Sequence, residues 1–145
     1  MRKIFMIEDN EDHALLIRRG IEDGECTVVH YQDGLVALEA CQGVQGRDSR
    51  PDLILLDLKL PGMDGFDVLK NLKHIKGFEQ IPVVMLTTSC RRQEIEKAYQ
   101  LGAVGYVVKS ENFGELVAKL KRVKDYWFHT VESLNSQPIA HMGGT

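Results

Sequence analysis

Four consecutive apolar residues, Leu53-Ile54-Leu55-Leu56, sit in the stretch PDLILLDLKLPGMDGFDVLK that spans residues 51–70. A run this short is no helix core, and its unbroken apolar character marks a strand covered on both faces, as in a parallel sheet. The run ends on Asp57. An acid at the carboxyl end of a buried parallel strand lies on the rim where open α/β sheets bind ligands. Taken alone, Asp57 is read first as a structural acid capping a loop. Pro61-Gly62 then signals a turn, and Asp64 is placed to cap a helix carrying Phe66, Leu69 and Leu72.

The same grammar repeats along the chain. Lys3–Ile7 reads as a first strand and runs straight into Glu8-Asp9-Asn10-Glu11-Asp12. Leu15, Leu16, Ile17 and Ile21 suggest an amphipathic helix to about Glu22, closed by Gly24. Cys26–Tyr31 is a second strand, and Asp33 caps a second helix with Leu35, Leu38 and Cys41 on one side. Residues 43–50 form a polar loop. Beyond the third helix, Gly77 and Pro82 bracket a junction, and Val83–Leu86 is a fourth buried strand ending in Thr87-Thr88-Ser89. Ser89 is placed to cap a weakly apolar fourth helix, about residues 90–100, anchored by Ile95, Ala98 and Leu101. Val104–Val108 is the fifth strand, followed at once by Lys109. Asn112 and Glu115 then make a capping-box-like start to a fifth helix with Phe113, Leu116, Leu120, Val123 and Trp127 at helical spacing. From Phe128 the pattern fades into a polar tail containing Pro138 and Gly143-Gly144.

Five strands alternating with five helices predict an α/β fold, a (βα)5 chain around a five-stranded parallel sheet with helices on both faces. Right-handed crossovers leave few topologies, and the flavodoxin-like order 2-1-3-4-5 is the expected one. In it the carboxyl ends of strands 1 and 3 share a crevice. Glu8, Asp9 and Asp57 are delivered to that crevice, with Thr87 from strand 4 and Lys109 from strand 5. Three carboxylates together repel, and at least one pKa rises unless something compensates. A divalent cation does so, and hard oxygen ligands with a phosphate partner suit Mg²⁺. With Lys109 the site is then near neutral and open to an anion. Asp57 can attack a phosphoryl group as a carboxylate nucleophile, Lys109 and the metal can neutralise its oxygens, and the Thr87 hydroxyl can donate to one. Each residue has a plainer reading: a solvated loop for Glu8-Asp9, a capping hydroxyl for Thr87, a surface lysine for Lys109, a first helical turn for His13. The convergence of five such residues on one rim favours the chemical reading.

Composition excludes other classes. A net charge of −3 with no basic tract argues against nucleic-acid binding. The start MRKIFMIEDNED, with one apolar run of four, is neither a signal peptide nor a membrane span. Cys26, Cys41 and Cys90 lack metal-ligand spacing and read as free thiols of a reducing cytoplasm. A flavodoxin-like nucleotide binder needs Gly, Ser and Thr after strand 1 to offer N–H groups to phosphate, where this chain has acids. An Asp-nucleophile phosphatase needs its attacking Asp in that first loop and a covering cap.

The motifs IEDN at 7–10, LLDLKLPGMDG at 55–65, VVMLTTS at 83–89 and GYVVKS at 105–110 together resemble the receiver domain of two-component response regulators, over roughly residues 2–127. The resemblance implies a domain over residues 1–127 and a C-terminal tail over 128–145 with no separate output domain. It implies Asp57 as phosphoacceptor, Asp9 and the Lys59 backbone carbonyl as Mg²⁺ ligands beside Asp57, and Glu8 nearby or acting through water. Thr87 and Lys109 would contact the phosphoryl group, and Tyr106 would be an aromatic switch. The protein would assist its own phosphorylation and dephosphorylation without being a turnover enzyme. One departure stands out: receivers usually carry Pro after the Lys, often in a cis bond, and here Ser110 follows Lys109. A cis bond before a non-proline residue costs about 2.5–4 kcal/mol, so this peptide is expected to be trans with an adjusted loop, or cis and strained. The Lys-Ser pair and the aromatic Tyr126-Trp127-Phe128 resemble small regulators that partner phytochrome-type sensor histidine kinases. A homodimer through the fourth helix, fifth strand and fifth helix, with Tyr126 and Phe128 at the contact, is expected. The alternative is a phosphate-independent receiver-like interaction module.

Overall fold

The computed structural model describes residues 1–44 and 49–130. Part of the expected loop at residues 43–50, and the tail with Pro138, Gly143 and Gly144, lie outside the described residues. The elements run in the order β1 (Arg2–Ile7), α1 (Glu11–Ile21), β2 (Cys26–Tyr31), α2 (Gly34–Gln42), β3 (Leu53–Leu56), α3 (Gly65–Leu72), β4 (Val83–Thr87), α4 (Arg92–Gln100), β5 (Gly105–Val108) and α5 (Phe113–Asp125). A π-helical turn, Tyr126–Thr130, continues α5. The five strands form one parallel sheet in the order β2-β1-β3-β4-β5, as expected.

Pleating sends alternate residues to opposite faces. Phe5, Ile7, Ile54, Leu56, Val83 and Met85 pack with α2, α3 and α4. Ile4, Met6, Leu53, Leu55, Val84 and Leu86 pack with α1 and α5. Every residue of β3 and β4 is therefore buried, which is why those segments read as unbroken apolar runs. β5 lies at the edge and is only half-buried.

Side-chain caps start four helices. Asn10 accepts from the His13 N–H, Asp33 from Val36, Asp64 from Asp67 and Asn112 from Glu115, at 2.8–3.1 Å. The fourth helix departs from expectation. It begins at Arg92 and its N-cap Arg91 makes no side-chain cap bond; the Ser89 hydroxyl donates to Glu94 and accepts from the Arg91 N–H at 3.4 Å, ahead of the helix, so Ser89 lies two residues too early to be the N-cap.

Three apolar residues expected inside are outside. Leu15, Leu16 and Leu35 are exposed, while Ala14, Ile17 and Ile21 of α1, and Ala37, Leu38 and Cys41 of α2, face the sheet. A helix buries one stripe, and small alanines let it lie close. α1 also approaches α5 closely: a Cβ at Gly20 would fall 2.6 Å from a Val117 methyl.

The C-terminal end of α5 corrects a further expectation. Phe128 is 7% exposed and packs into the α1/α5 side of the core, with the Arg2 guanidinium 5.5 Å from its ring centroid. The core thus reaches one residue beyond the expected boundary at 127. Phe128 is not free to meet a second copy, whereas Tyr126 is 51% exposed. Lys124, with no apolar signal, is buried. Its ammonium donates to the Ile21 carbonyl at 2.9 Å and pairs with Asp23 at 2.7 Å, tying α5 to the end of α1. No helix among the described residues is long and apolar enough to cross a membrane.

Candidate functional site

The ladder continues past the strand ends and fixes the rim. Glu8 N–H donates to the Tyr31 carbonyl at 3.0 Å, Asp57 N–H to Ile7 at 3.0 Å, and Lys109 N–H to Thr87 at 2.7 Å. Backbone pairing alone thus sets Glu8, Asp57, Thr87 and Lys109 at neighbouring strand ends. At Asp57 the chain turns under α3. Gly65 donates to the Leu58 carbonyl at 2.8 Å, and a Cβ on it would fall 2.6 Å from the Leu58 Cα and closer still to the Asp57 carbonyl oxygen. Only glycine fits that approach.

Asp57 is 6% exposed and Glu8 1% exposed. One Asp57 oxygen accepts from the Lys59 N–H at 3.1 Å and the other from Lys109 Nζ at 3.1 Å. Glu8 accepts from Lys109 Nζ through Oε1 and from the Asn10 N–H, at 3.0 Å, through Oε2. Asp9 is exposed beside them. Oxygens of Glu8, Asp9 and Asp57 lie within 4.8 Å of one another, the only such acid cluster among the described residues. Burial raises the Glu8 carboxyl above its usual range, against the pull of the Lys109 ammonium. Burial works to lower Lys109, but its bonds to Glu8 and the charge of Asp57 outweigh this and hold it raised.

Three buried or clustered carboxylates against one ammonium leave about two uncompensated negative charges, and every donor is a hard oxygen. That set fits a divalent cation of the Mg²⁺ or Mn²⁺ type. Thr87 is fully buried, and its hydroxyl oxygen accepts from the Ser89 N–H at 3.4 Å. Tyr106 is half-buried, its hydroxyl donating to the Ser89 carbonyl at 2.9 Å. Lys59 reaches the site through its backbone, while its ammonium lies 4.0 Å from Glu94. His13 sits in the first turn of α1, its ring edge-on to Phe113 at 5.4 Å and outside the acid cluster.

The Lys109–Ser110 peptide is trans. The Ser110 hydroxyl accepts from the Asn112 N–H and donates to Glu115, each at 3.1 Å, so the expected capping box is closed through a serine. Sequence reasoning noticed Ser110 only as a departure and missed Gly65 and Glu94. Gly65 stands in the PGMDG motif and was legible as a turn residue; Glu94 carried no signal.

The family model for the response regulator receiver domain matches residues 4–121. The chain belongs to the response regulator receiver family. Among its relatives are FilR2 of Methanothrix harundinacea, 36% identical over 86% of this chain and 82% of that one, and the response regulator Rcp1 of Synechocystis, 33% identical over 88% of this chain and 90% of that one. The crystal structure of the phosphorylated cyanobacterial phytochrome response regulator RcpA superposes with a TM-score of 0.82 at 36% identity, covering 92% of this chain and 98% of that one. Rcp1 has also been solved in its Mn²⁺-bound form. The acid cluster, Thr87 and Lys109 of this receiver thus stand on a fold shared with regulators solved in metal-bound and phosphorylated forms.

Proposed function

We propose that this receiver accepts a phosphoryl group on Asp57 from a sensor histidine kinase and signals by a conformational change on its α4–β5–α5 face. The observation that carries the reading is the placement of Asp57. It is buried at the end of β3, with one oxygen against Lys109 Nζ and the acids that follow β1, Glu8 and Asp9, alongside.

A carboxylate oxygen of Asp57 forms the O–P bond as the P–N bond of a phosphohistidine breaks, and the electron pair leaves with the imidazole nitrogen. Lys109, already between Glu8 and Asp57, moves its hydrogen bonds to a phosphoryl oxygen as negative charge arrives. The Thr87 hydroxyl donates to a second. Asp9, Asp57 and the Lys59 carbonyl are assigned to Mg²⁺. Glu8, whose two oxygens already accept from Lys109 and Asn10, takes an outer place through water. The bound cation supplies charge neutralisation between carboxylates and phosphoryl group.

Phosphorylation adds nearly two negative charges. Thr87 is drawn toward them, Ser89 follows, and Tyr106, bonded to the Ser89 carbonyl, responds. The likeness to RcpA supports a phytochrome-type kinase as donor. A homodimer through α4, β5 and α5, now without Phe128, is part of this reading, as are a receiver domain over residues 1–127 with Phe128 packed onto it, a tail beyond, and the absence of classical turnover.

The test is intact mass after incubation with acetyl phosphate and Mg²⁺. A gain of one phosphoryl group is expected, lost with EDTA and in Asp57→Asn. An equal gain in Asp57→Asn contradicts the assignment. No gain from acetyl phosphate or from a phosphorylated histidine kinase leaves the phosphate-independent module as the better reading.

A further inference from the structure

Glu94, in the first turn of α4, touches both loops that carry the rim. One carboxylate oxygen accepts from the Ser89 hydroxyl, and the other lies 4.0 Å from Lys59 Nζ. Each partner stands two residues past a reacting group. The Ser89 N–H donates to the Thr87 hydroxyl oxygen at 3.4 Å, and the Ser89 carbonyl accepts from Tyr106 at 2.9 Å. The Lys59 N–H donates to Asp57 at 3.1 Å. One side chain of α4 is therefore joined to the segments after Asp57 and after Thr87.

Beside these contacts, the Arg91 N–H donates to the Ser89 hydroxyl oxygen at 3.4 Å at the start of the helix. Arg91 gives no side-chain cap, and Ala98 is the one fully buried residue of α4. Farther along, the Lys97 ammonium lies 4.5 Å from the Phe66 ring centroid. Glu94 is the tether of the N-terminal turn.

We propose that Glu94 is the positioning residue that couples charge at Asp57 to α4: it restrains the helix in the unphosphorylated protein, and phosphorylation loosens both of its contacts. The proposal rests on the phospho-acceptor reading of Asp57. The Lys59 side chain is mostly exposed and its pairing with Glu94 is long, so the ion pair is weak. A phosphoryl dianion on Asp57, two residues away, outcompetes a single carboxylate for that ammonium. On the other arm, Thr87 donating to a phosphoryl oxygen draws Ser89 with it and away from Glu94. Coupling is reciprocal. If phosphorylation opposes the Glu94 contacts, those contacts oppose phosphorylation.

The test uses the full chain and beryllofluoride with Mg²⁺, a stable mimic of the phosphoryl group. Affinity is read by fluorine NMR and the freedom of α4 by hydrogen exchange over residues 92–100. In the wild type, binding is expected to speed exchange in α4. In Glu94→Gln, α4 exchanges at the faster rate without beryllofluoride, and affinity tightens by about threefold to tenfold. Lys59→Met removes the ammonium that the phosphoryl group takes from Glu94 and so weakens affinity, and in the double variant the gain from Glu94→Gln is smaller than in the wild-type background. Faster exchange in Glu94→Gln with unchanged or weaker affinity overturns the proposal, because Glu94 then only caps a helix. So does strict additivity with Lys59→Met. If the wild type binds no beryllofluoride, or Asp57→Asn binds it as well, the phospho-acceptor reading itself falls and takes this proposal with it.

Discussion

At Lys109 a single ammonium faces two buried carboxylates, and this decides how the site behaves when perturbed. Lys109→Met leaves Glu8 and Asp57 buried without their cation. Breaking such a pair costs about 3–5 kcal/mol, so urea unfolding in EDTA is expected to shift by about that much, with phosphorylation from acetyl phosphate reduced at least tenfold. The thiols make a second residue-scale case. Burial pushes Cys26 up to about 11 and Cys41 up to about 12, while Cys90 is exposed. A thiol reagent at neutral pH is expected to titrate one cysteine in the native protein and three after unfolding. The folded state holds these protons, and that of Lys109, to higher pH than the unfolded chain does. The contribution of the two thiols is therefore complete below about pH 9 and is lost as pH rises toward 11–12, and that of Lys109 is lost only above the ordinary lysine range. Unfolding midpoints measured from pH 8 to 11 are expected to fall; a rise contradicts the burial of these groups.

At the scale of elements, the strands were legible and the helix faces less so. Leu53–Leu56 and Val83–Leu86 announce themselves because a strand buried on both faces has no polar alternation. Asp33, Asp64 and Asn112 announce their helices because a short acceptor side chain before an apolar pattern has few other uses. Leu15, Leu16 and Leu35 misled because adjacent apolar residues on a helix cannot all face one sheet, and the pattern does not say which does. Ser89 misled because the helix starts two residues later than a cap at Ser89 implies, and its hydroxyl meets the Arg91 N–H and Glu94 instead. Lys124 was invisible: only the packing of α1 on α5 gives its ammonium the Ile21 carbonyl and Asp23. Lys124→Met leaves that carbonyl without its donor, and the expected loss is about 1–3 kcal/mol in thermal or urea unfolding, with activity at Asp57 intact. A neutral result means that water replaces the ammonium.

For the whole molecule, the two faces of the sheet differ in how firmly they are held. α1 and α5 are locked by the Gly20–Val117 approach, by Lys124 and by Phe128, while α4 rests on one buried alanine and side-chain contacts near its start. The proposed movement is therefore assigned to α4 and the β5 edge beside it. A groove of about 890 Å³ opens there, with Tyr99, Val104 and Tyr126 exposed along it. If this face pairs two copies, sedimentation velocity with beryllofluoride and Mg²⁺ is expected to show a dimer that Tyr126→Arg dissociates; a monomer in every state removes the dimer from the account. The rim was legible in the sequence because its residues stand at, or within two positions of, the ends of apolar runs. The direct pairing of Lys109 with Glu8 and Asp57 was not: Lys109 follows β5, two strands from β3 in the sheet, and strand order alone does not say that its side chain crosses β4 to reach them.

The most direct measurement is the position of the acyl phosphate. After reaction with acetyl phosphate and Mg²⁺, borohydride reduces a phosphoaspartate to homoserine, and peptide mass spectrometry locates it. The account predicts homoserine at position 57 alone, absent when EDTA is present. Homoserine at Asp9 or at any other acid, with Asp57 unmodified, contradicts it.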